Sequence, residues 1–222
     1  MIVTSKAPKA IIFFGPDGSG KTTQTDLLIQ RLRKDGVSSR KLWLRSLHTL
    51  AFVISKIAMH VLELESVYDF RSKYSHIRSF RPVWYAIEFI SILPLVLFRF
   101  YIPLARRQTV VAERYVIDWV VSLSYASSNE SLLDSILAKA VLRFMPKDSL
   151  LIYIDADYDT IYARGRREDS FEFIEFQRRF YAKIAQIVNA VIINTSDKTV
   201  QEVHELIYQS TRCSSIRRGA TS

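Results

Sequence analysis

The chain has 222 residues, of which 49% are hydrophobic and 24% charged, and this composition excludes a disordered protein and predicts a substantial core. The single cysteine, Cys213, excludes an internal disulfide, so nothing points to an oxidising compartment. The formal net charge of +9 favours an anionic partner, which could be nucleic acid, an anionic membrane or a small phosphorylated ligand.

Strand-like and helix-like segments alternate along the chain, which predicts an α/β fold with a five-stranded parallel sheet and helices on both faces. The predicted strands are Ala10–Phe14, Lys41–Leu44, Thr109–Ala112, Ser149–Ile154 and Val191–Ile193. The predicted helices are Lys21–Asp35, ending at a left-handed Gly36, then Leu47–Glu65, Pro82–Arg106 and Thr199–Tyr208. We expect one domain, with a frayed tail over Arg212–Ser222.

A phosphate-binding loop follows the first strand. It reads Gly15-Pro16-Asp17-Gly18-Ser19-Gly20-Lys21-Thr22, which fits G-x-x-x-x-G-K-[ST] between a strand and a helix. Glycines let backbone N–H groups turn toward phosphate oxygens, and the helix N-terminus adds partial positive charge. Lys21 is expected to meet the β- and γ-phosphates, and the Thr22 hydroxyl is expected to bind Mg²⁺. The chain contains no Asn-Lys-x-Asp guanine motif, so ATP is the expected donor.

An apolar stretch over Val83–Ala105 raises the question of a membrane span. Glu88 and Arg99 interrupt it, and Phe89–Phe98 between them falls short of the ~18 apolar residues that a span requires. We predict a buried or partner-facing helix here, with a membrane-surface contact as the minor alternative. Because Met1–Pro8 also lacks the apolar core of a secretory signal, we expect a cytoplasmic protein.

Four segments together resemble the thymidylate kinase family of P-loop nucleoside monophosphate kinases. The loop 15–22 with Thr23 resembles that family's Gly-x-Asp-Gly-x-Gly-Lys-Ser/Thr loop, and Glu113-Arg114-Tyr115 resembles its Asp-Arg-Tyr triplet. Tyr158–Arg167 and Phe176–Ala185 are similar to its lid and to the helix that follows. The resemblance implies the P-loop NTPase fold, with ATP and Mg²⁺ as cofactors and a nucleoside monophosphate, with dTMP as the leading candidate, as acceptor. It also implies a homodimer, with the apolar helix as a candidate interface.

The resemblance also implies site residues on the acceptor side. Asp17 would contact the sugar or phosphate region of the acceptor, and Arg45, which follows the second strand, would bind the acceptor phosphate. Arg114 would hold phosphate through its planar fork, and Tyr115 would pack near the sugar. Glu113 replaces the family's aspartate and would bind Mg²⁺ through water.

On the donor side, the resemblance makes 158–180 a lid that closes over ATP. Its arginines are expected to contact ATP (Arg164) and to neutralise charge on the transferring phosphoryl group (Arg166 and Arg167). A solvated basic helix end is the alternative explanation for this cluster.

The acceptor half departs from the family pattern. Thymidylate kinases carry an aromatic residue and an arginine on a helix about twenty residues before the triplet, whereas Phe89–Pro94 here contains no arginine. The candidate replacements are Arg78, Arg81, Trp84, Tyr85 and Glu88, of which Arg81 is our substrate-binding prediction. The aromatic residues are equally typical of a core or an interface, so the acceptor base stays open.

Three functions remain in competition. The first is a thymidylate kinase, and the second is a related kinase acting on another small acceptor. The third is a nucleotide-dependent regulatory or nucleic-acid-associated protein, which the +9 charge suggests. The arginines at strand ends account for part of that charge, so we expect no nucleic-acid partner. The four histidines lack metal-ligand spacing, and we expect no structural zinc.

Overall fold

The computed structural model describes residues 8–43, 50–61, 81–146, 148–166 and 169–219. By its internal contacts the chain divides into two compact units. The first comprises Met1–Trp43, Pro103–Tyr115 and Met145–Ser222, and the second comprises Leu44–Ile102 and Val116–Phe144. A single domain for the whole chain stays a prediction.

The first unit contains a five-stranded sheet in which every pairing is parallel. In chain order the strands are β1 (Ala10–Phe14), β2 (Ser39–Trp43), β3 (Thr109–Glu113), β4 (Ser149–Asp155) and β5 (Val191–Asn194). Their order in the sheet is β2-β3-β1-β4-β5. The predicted strands and the P-loop NTPase fold class are confirmed, with small shifts at the strand ends. The central strand, β1, has no exposed residue, which explains its uninterrupted apolar sequence.

The described α-helices include several that the sequence pattern did not reveal. In chain order they are α1 (Lys21–Lys34), α2 (Leu50–Val61), α3 (Arg81–Leu95), α4 (Ile102–Ala105), α5 (Val116–Ala126), α6 (Ile136–Arg143), α7 (Tyr158–Ala163), α8 (Phe171–Ile187) and α9 (Val200–Gly219). Helices α5 and α6 were not predicted. Helix α9 continues well past Tyr208, so residues 212–219 of the expected frayed tail are helical.

Helices cover both faces of the sheet. On one face, Ile11 and Phe13 of β1 pack in a cluster with Leu28 of α1 and Ile207 of α9. On the other face, the ring of Tyr181 on α8 lies 6.0 Å from that of Phe14. Because successive side chains of a strand point to opposite faces, β1 joins both layers into one core.

Helix α1 ends as its sequence predicts. Gly36 has a φ of 75°, a left-handed conformation that costs glycine little, and its N–H donates to the carbonyl of Arg33 at 3.0 Å. The Val37 N–H donates to the carbonyl of Leu32 at 2.8 Å. These two bonds satisfy carbonyls at the end of the helix and turn the chain toward β2.

The second unit is built around a long apolar helix. Helix α3 continues through a π-helical segment, Val96–Tyr101, into α4. Pro94 and Pro103 flank this segment, and because proline has no N–H, each interrupts the regular α-helical ladder. By length and composition alone, Arg81–Ala105 could cross a membrane, with a mean hydropathy of 1.8 over its most apolar window and 33% of that window buried.

Candidate active site around the phosphate-binding loop

A cavity of about 430 Å³ lies in the first unit, beyond the carboxyl ends of β1, β3 and β5. Eleven of the predicted site residues line it, namely Asp17, Gly18, Ser19, Gly20, Lys21, Thr22, Thr23, Glu113, Arg114, Arg164 and Arg166. Ligands of open α/β sheets bind at this edge, because the loops that leave parallel strands converge there. The cavity therefore brings the loop, the triplet and the start of the lid together.

The backbone of the phosphate-binding loop requires its glycines. Gly15, Gly18 and Gly20 have φ values of 144°, 85° and 100°. A Cβ atom on Gly15 would lie 2.1 Å from the carbonyl oxygen of Ile154, because the loop leaves β1 directly against β4. Gly20 immediately precedes α1, so the positive end of that helix faces the cavity. The loop is therefore suited to bind phosphate.

Lys21 is held against the loop by backbone carbonyls. Its side chain is buried, and Nζ donates to the carbonyls of Gly15 and Pro16 at 2.7 and 2.6 Å. The carboxylate of Asp17 lies 3.7 Å from the same nitrogen. A buried ammonium in this position offers a full positive charge to phosphate oxygens that enter the cavity.

Thr22 and Glu113 form the candidate magnesium site. The Thr22 hydroxyl donates to Glu113 Oε1, and this leaves the hydroxyl oxygen able to face a cation. Hydroxyl and carboxylate oxygens are the donors that Mg²⁺ prefers, so the pair fits the ion. Among the described residues no three His, Cys, Asp or Glu side chains are grouped as metal ligands. Phosphate and water oxygens would therefore have to complete the shell of the ion.

Lys41 is a neighbour of this pair that the sequence did not identify. Its Nζ lies 3.5 Å from Glu113 Oε2 and 2.5 Å from the carboxylate of Asp26. In β2, Lys41 pairs in register with Val111 of β3, two residues before Glu113. The ammonium balances the buried carboxylate, which would otherwise be a costly charge beside Thr22.

Arg114 directs its guanidinium onto the loop. It donates to the carboxylate of Asp17, so Asp17 lies between two cations, Arg114 and Lys21. Arg114 also has a φ of 67°, a left-handed conformation that is strained for a residue with a Cβ. Strained residues of this kind cluster at functional sites, where the surrounding structure holds them in place.

Arg164 and Arg166, the described members of the lid's arginine cluster, lie at different places along the loop. Arg164 donates to both the hydroxyl and the carbonyl of Thr195, at 3.0 and 2.9 Å. The Thr195 hydroxyl in turn donates to the carbonyl of Ser19 at 3.1 Å. The side chain of Arg166 lies over Gly18, where a Cβ would approach its Cγ to 3.0 Å.

Several predicted site residues are not part of this cavity. Tyr115 is almost completely buried and does not line it, and Arg81 begins α3 in the second unit. Gly15 and Pro16 do not line the cavity, and they contribute the carbonyls that hold Lys21. Arg45, Arg78 and Arg167 lie outside the residues that the structure describes.

An ion pair between α8 and the end of β4 was also not predicted. Arg178 of α8 binds Asp155 through two bonds, with Nε and Nη2 each 3.0 Å from a carboxylate oxygen. The hydrogen bonds to Asp155 raise the pKa of Arg178. Burial, together with the charge of Asp155, raises the pKa of Tyr153, which donates to Asp155 at 3.0 Å. These contacts hold α8 against the end of β4.

Further residues line the cavity and were missed, namely Gln24, Gly165, Val200, Val203 and the polar pair Thr195 and Lys198. Thr195 and Lys198 follow β5, and the position of polar residues directly after a predicted parallel strand was the signal that could have identified this pair.

Comparison with known proteins adds one distant relative. The chain is 24% identical over 200 residues to a probable thymidylate kinase of Methanocaldococcus jannaschii, across 89% of this chain and 92% of that protein. No family model matches the chain. The similarity spans nearly the full length of both chains, and it agrees with the fold and with the resemblance of the loop and triplet.

Proposed function

We propose that this protein is a nucleotide kinase that transfers the γ-phosphate of ATP to a nucleoside monophosphate. The observation that carries the proposal is that Lys21, Arg114, Arg164 and Arg166 line one cavity together with the phosphate-binding loop. Four cations around one loop suit a reaction in which negative charge is redistributed over several phosphate oxygens. The similarity to a protein described as a probable thymidylate kinase supports the same class of reaction.

In this mechanism the chain positions phosphates and neutralises their charge. The loop backbone and Lys21 would hold the donor phosphates, while Thr22 and Glu113 would hold Mg²⁺, which supplies charge neutralisation at the β- and γ-phosphate oxygens when bound. Arg114 would exchange its bond to Asp17 for one to the acceptor phosphate. Arg166, over the loop, would stabilise charge on the transferring group. Positioning and electrostatics of this kind supply most of the acceleration in phosphoryl transfer.

For the acceptor, we propose dTMP, as the family resemblance implies. A related kinase with another small acceptor is the second candidate. It is favoured by the arginine-free stretch Phe89–Pro94 and by the complete burial of Glu88 and near-complete burial of Trp84, which reduces their availability to a base. A cytoplasmic location and a homodimer also belong to this proposal. Sedimentation of the purified chain tests the oligomeric state.

The first experiment measures ADP release from ATP and Mg²⁺ against dTMP, dUMP, UMP, CMP and AMP. A strong preference for dTMP is the expected result, and it would mean that residues other than the family's arginine recognise thymine. Activity with another monophosphate would support the kinase reaction and identify an acceptor other than dTMP. If ATP binds and no monophosphate is phosphorylated, the nucleoside monophosphate kinase proposal is wrong.

Arg114→Ala is expected to lower kcat/KM for the acceptor about 10- to 100-fold, because a charge-assisted bidentate contact to phosphate is lost. The Kd for ATP should change little. Steady-state kinetics with the acceptor varied at saturating ATP provide the measurement. Arg114→Lys serves as the matched variant, since it keeps the charge without the planar fork and should recover only part of the loss. Unchanged acceptor kinetics in Arg114→Ala would refute the assignment.

A further inference from the structure

Two helices of the second unit expose apolar side chains to solvent, and the proposed reaction does not use these side chains. On the long helix, Val83, Ile90 and Leu97 recur every seven residues, which is about two turns, and Phe98 follows them. Each of these four side chains is more than half exposed. We call them the apolar stripe. Helix α2, which packs against α3, adds its own exposed residues at four-residue spacing, Val53, Ile57 and Val61.

The side of α3 that faces away from the apolar stripe is hydrogen-bonded within the second unit. Tyr85 donates to the Ser127 hydroxyl at 2.6 Å, and the Trp119 indole donates to Glu88 at 3.4 Å. Trp84 and Glu88 are almost or completely buried. If the helix left the unit to cross a bilayer, these bonds would break and a carboxylate would enter hydrocarbon. The apolar stripe can therefore contact another surface while α3 remains packed within the second unit.

The exposed charges that these two helices themselves carry have one sign. Helix α2 contains no aspartate or glutamate, and Arg81–Ala105 contains only Glu88, which has no exposed area. The exposed charged residues of these two segments include Lys56 and Arg99, and Arg81 is partly exposed at the start of α3. The solvent side of the two helices thus combines apolar groups with positive charges only.

We propose that the apolar stripe docks the protein onto an anionic lipid surface, as a peripheral contact and not as a span. Interfacial helices bind in this way, with the apolar face at the boundary between headgroups and acyl chains and basic residues near lipid phosphates. A second copy of the chain fits less well. In a two-fold interface the same surface meets itself, so Lys56 and Arg99 would face other cations without a carboxylate from these helices. This inference does not rest on the proposed function.

Co-sedimentation of the full chain with lipid vesicles tests the proposal. We expect binding to phosphatidylcholine vesicles that contain phosphatidylglycerol, about tenfold weaker binding to pure phosphatidylcholine, and weaker binding at high salt. The double variant Leu97→Ser/Phe98→Ser should lose about tenfold or more in vesicle affinity. Ile136→Ser is the matched control, because Ile136 is 88% exposed on α6 of the same unit and lies outside the stripe.

Circular dichroism melting establishes that each variant is folded. Should the double variant fail to fold, Arg99→Glu provides the second test, with loss of the preference for anionic vesicles as the expected result. Absence of wild-type binding to anionic vesicles would overturn the proposal, as would binding that the folded stripe variants leave unchanged. A wild-type dimer that the double variant converts to a monomer, without vesicle binding, would assign the stripe to a second copy of the chain.

Discussion

Replacing Lys21 with methionine is expected to lower kcat by at least about 10²–10³-fold while the protein stays folded. Lys21 is the buried ammonium of the loop, and it contacts oxygen atoms of Gly15, Pro16 and Asp17. Methionine fills most of the same volume without the charge. Single-turnover ADP release measures the loss, because it follows the chemical step without product release.

The matched control for this prediction is Lys34→Met. Lys34 is the last residue of the same helix and is exposed, so its replacement removes an equal charge far from the loop and should leave kcat unchanged. Melting temperatures of both variants show whether the fold survives. Wild-type turnover in a folded Lys21→Met protein would exclude the phosphate-binding loop from the mechanism.

Gly15→Ala is expected to produce the largest loss of stability, about 3–5 kcal/mol in the free energy of unfolding. The new Cβ would lie 2.1 Å from the Ile154 carbonyl oxygen, which is a backbone atom of a central strand and cannot rotate away. The φ of 144° adds strain for any residue with a side chain. Urea unfolding followed by circular dichroism measures the change.

Gly36→Ala separates the steric clash from the backbone strain. Gly36 has a φ of 75°, and a Cβ there would meet no atom within 4 Å. Its replacement should cost only about 1–2 kcal/mol, the usual penalty of a left-handed conformation. If Gly15→Ala costs no more than Gly36→Ala, the close approach of the loop to β4 does not constrain this position.

The amino-acid sequence was sufficient for the features that depend on neighbouring residues. All five strands were predicted, because a buried parallel strand shows as a short apolar run wherever helices cover both faces. Helix α1 and its end at Gly36 were also predicted. The helix follows from the periodicity of its apolar residues, and its end follows from glycine, which accepts a positive φ. Helix α5 was missed because most of its residues are buried, so it lacks the polar face of an amphipathic pattern. Helix α6 does begin at a signal that the sequence contains, since the Ser135 hydroxyl caps it by accepting from the Ala138 N–H.

The acceptor half was harder to predict because its chemistry is not local. Glu88 was considered as a candidate residue for recognising the base of the acceptor. The structure shows that the Glu88 side chain is buried and that it accepts a hydrogen bond from the Trp119 indole. Tyr115 was expected beside the sugar, whereas its side chain is almost fully buried and does not line the cavity. An aromatic residue after a strand is typical of a core as much as of a site, so sequence cannot separate the two.

By itself, the sequence determined that this chain carries a phosphate-binding loop on a parallel sheet, because loop spacing and short apolar runs are properties of adjacent residues. Only the tertiary structure decided which distant side chains act with that loop. Glu113 reaches Thr22, Lys41 approaches Glu113, and Arg164 binds Thr195 only because parallel strands end at one edge of the sheet. Strand order and register decide these contacts, and they depend on pairings between segments that are far apart in the chain.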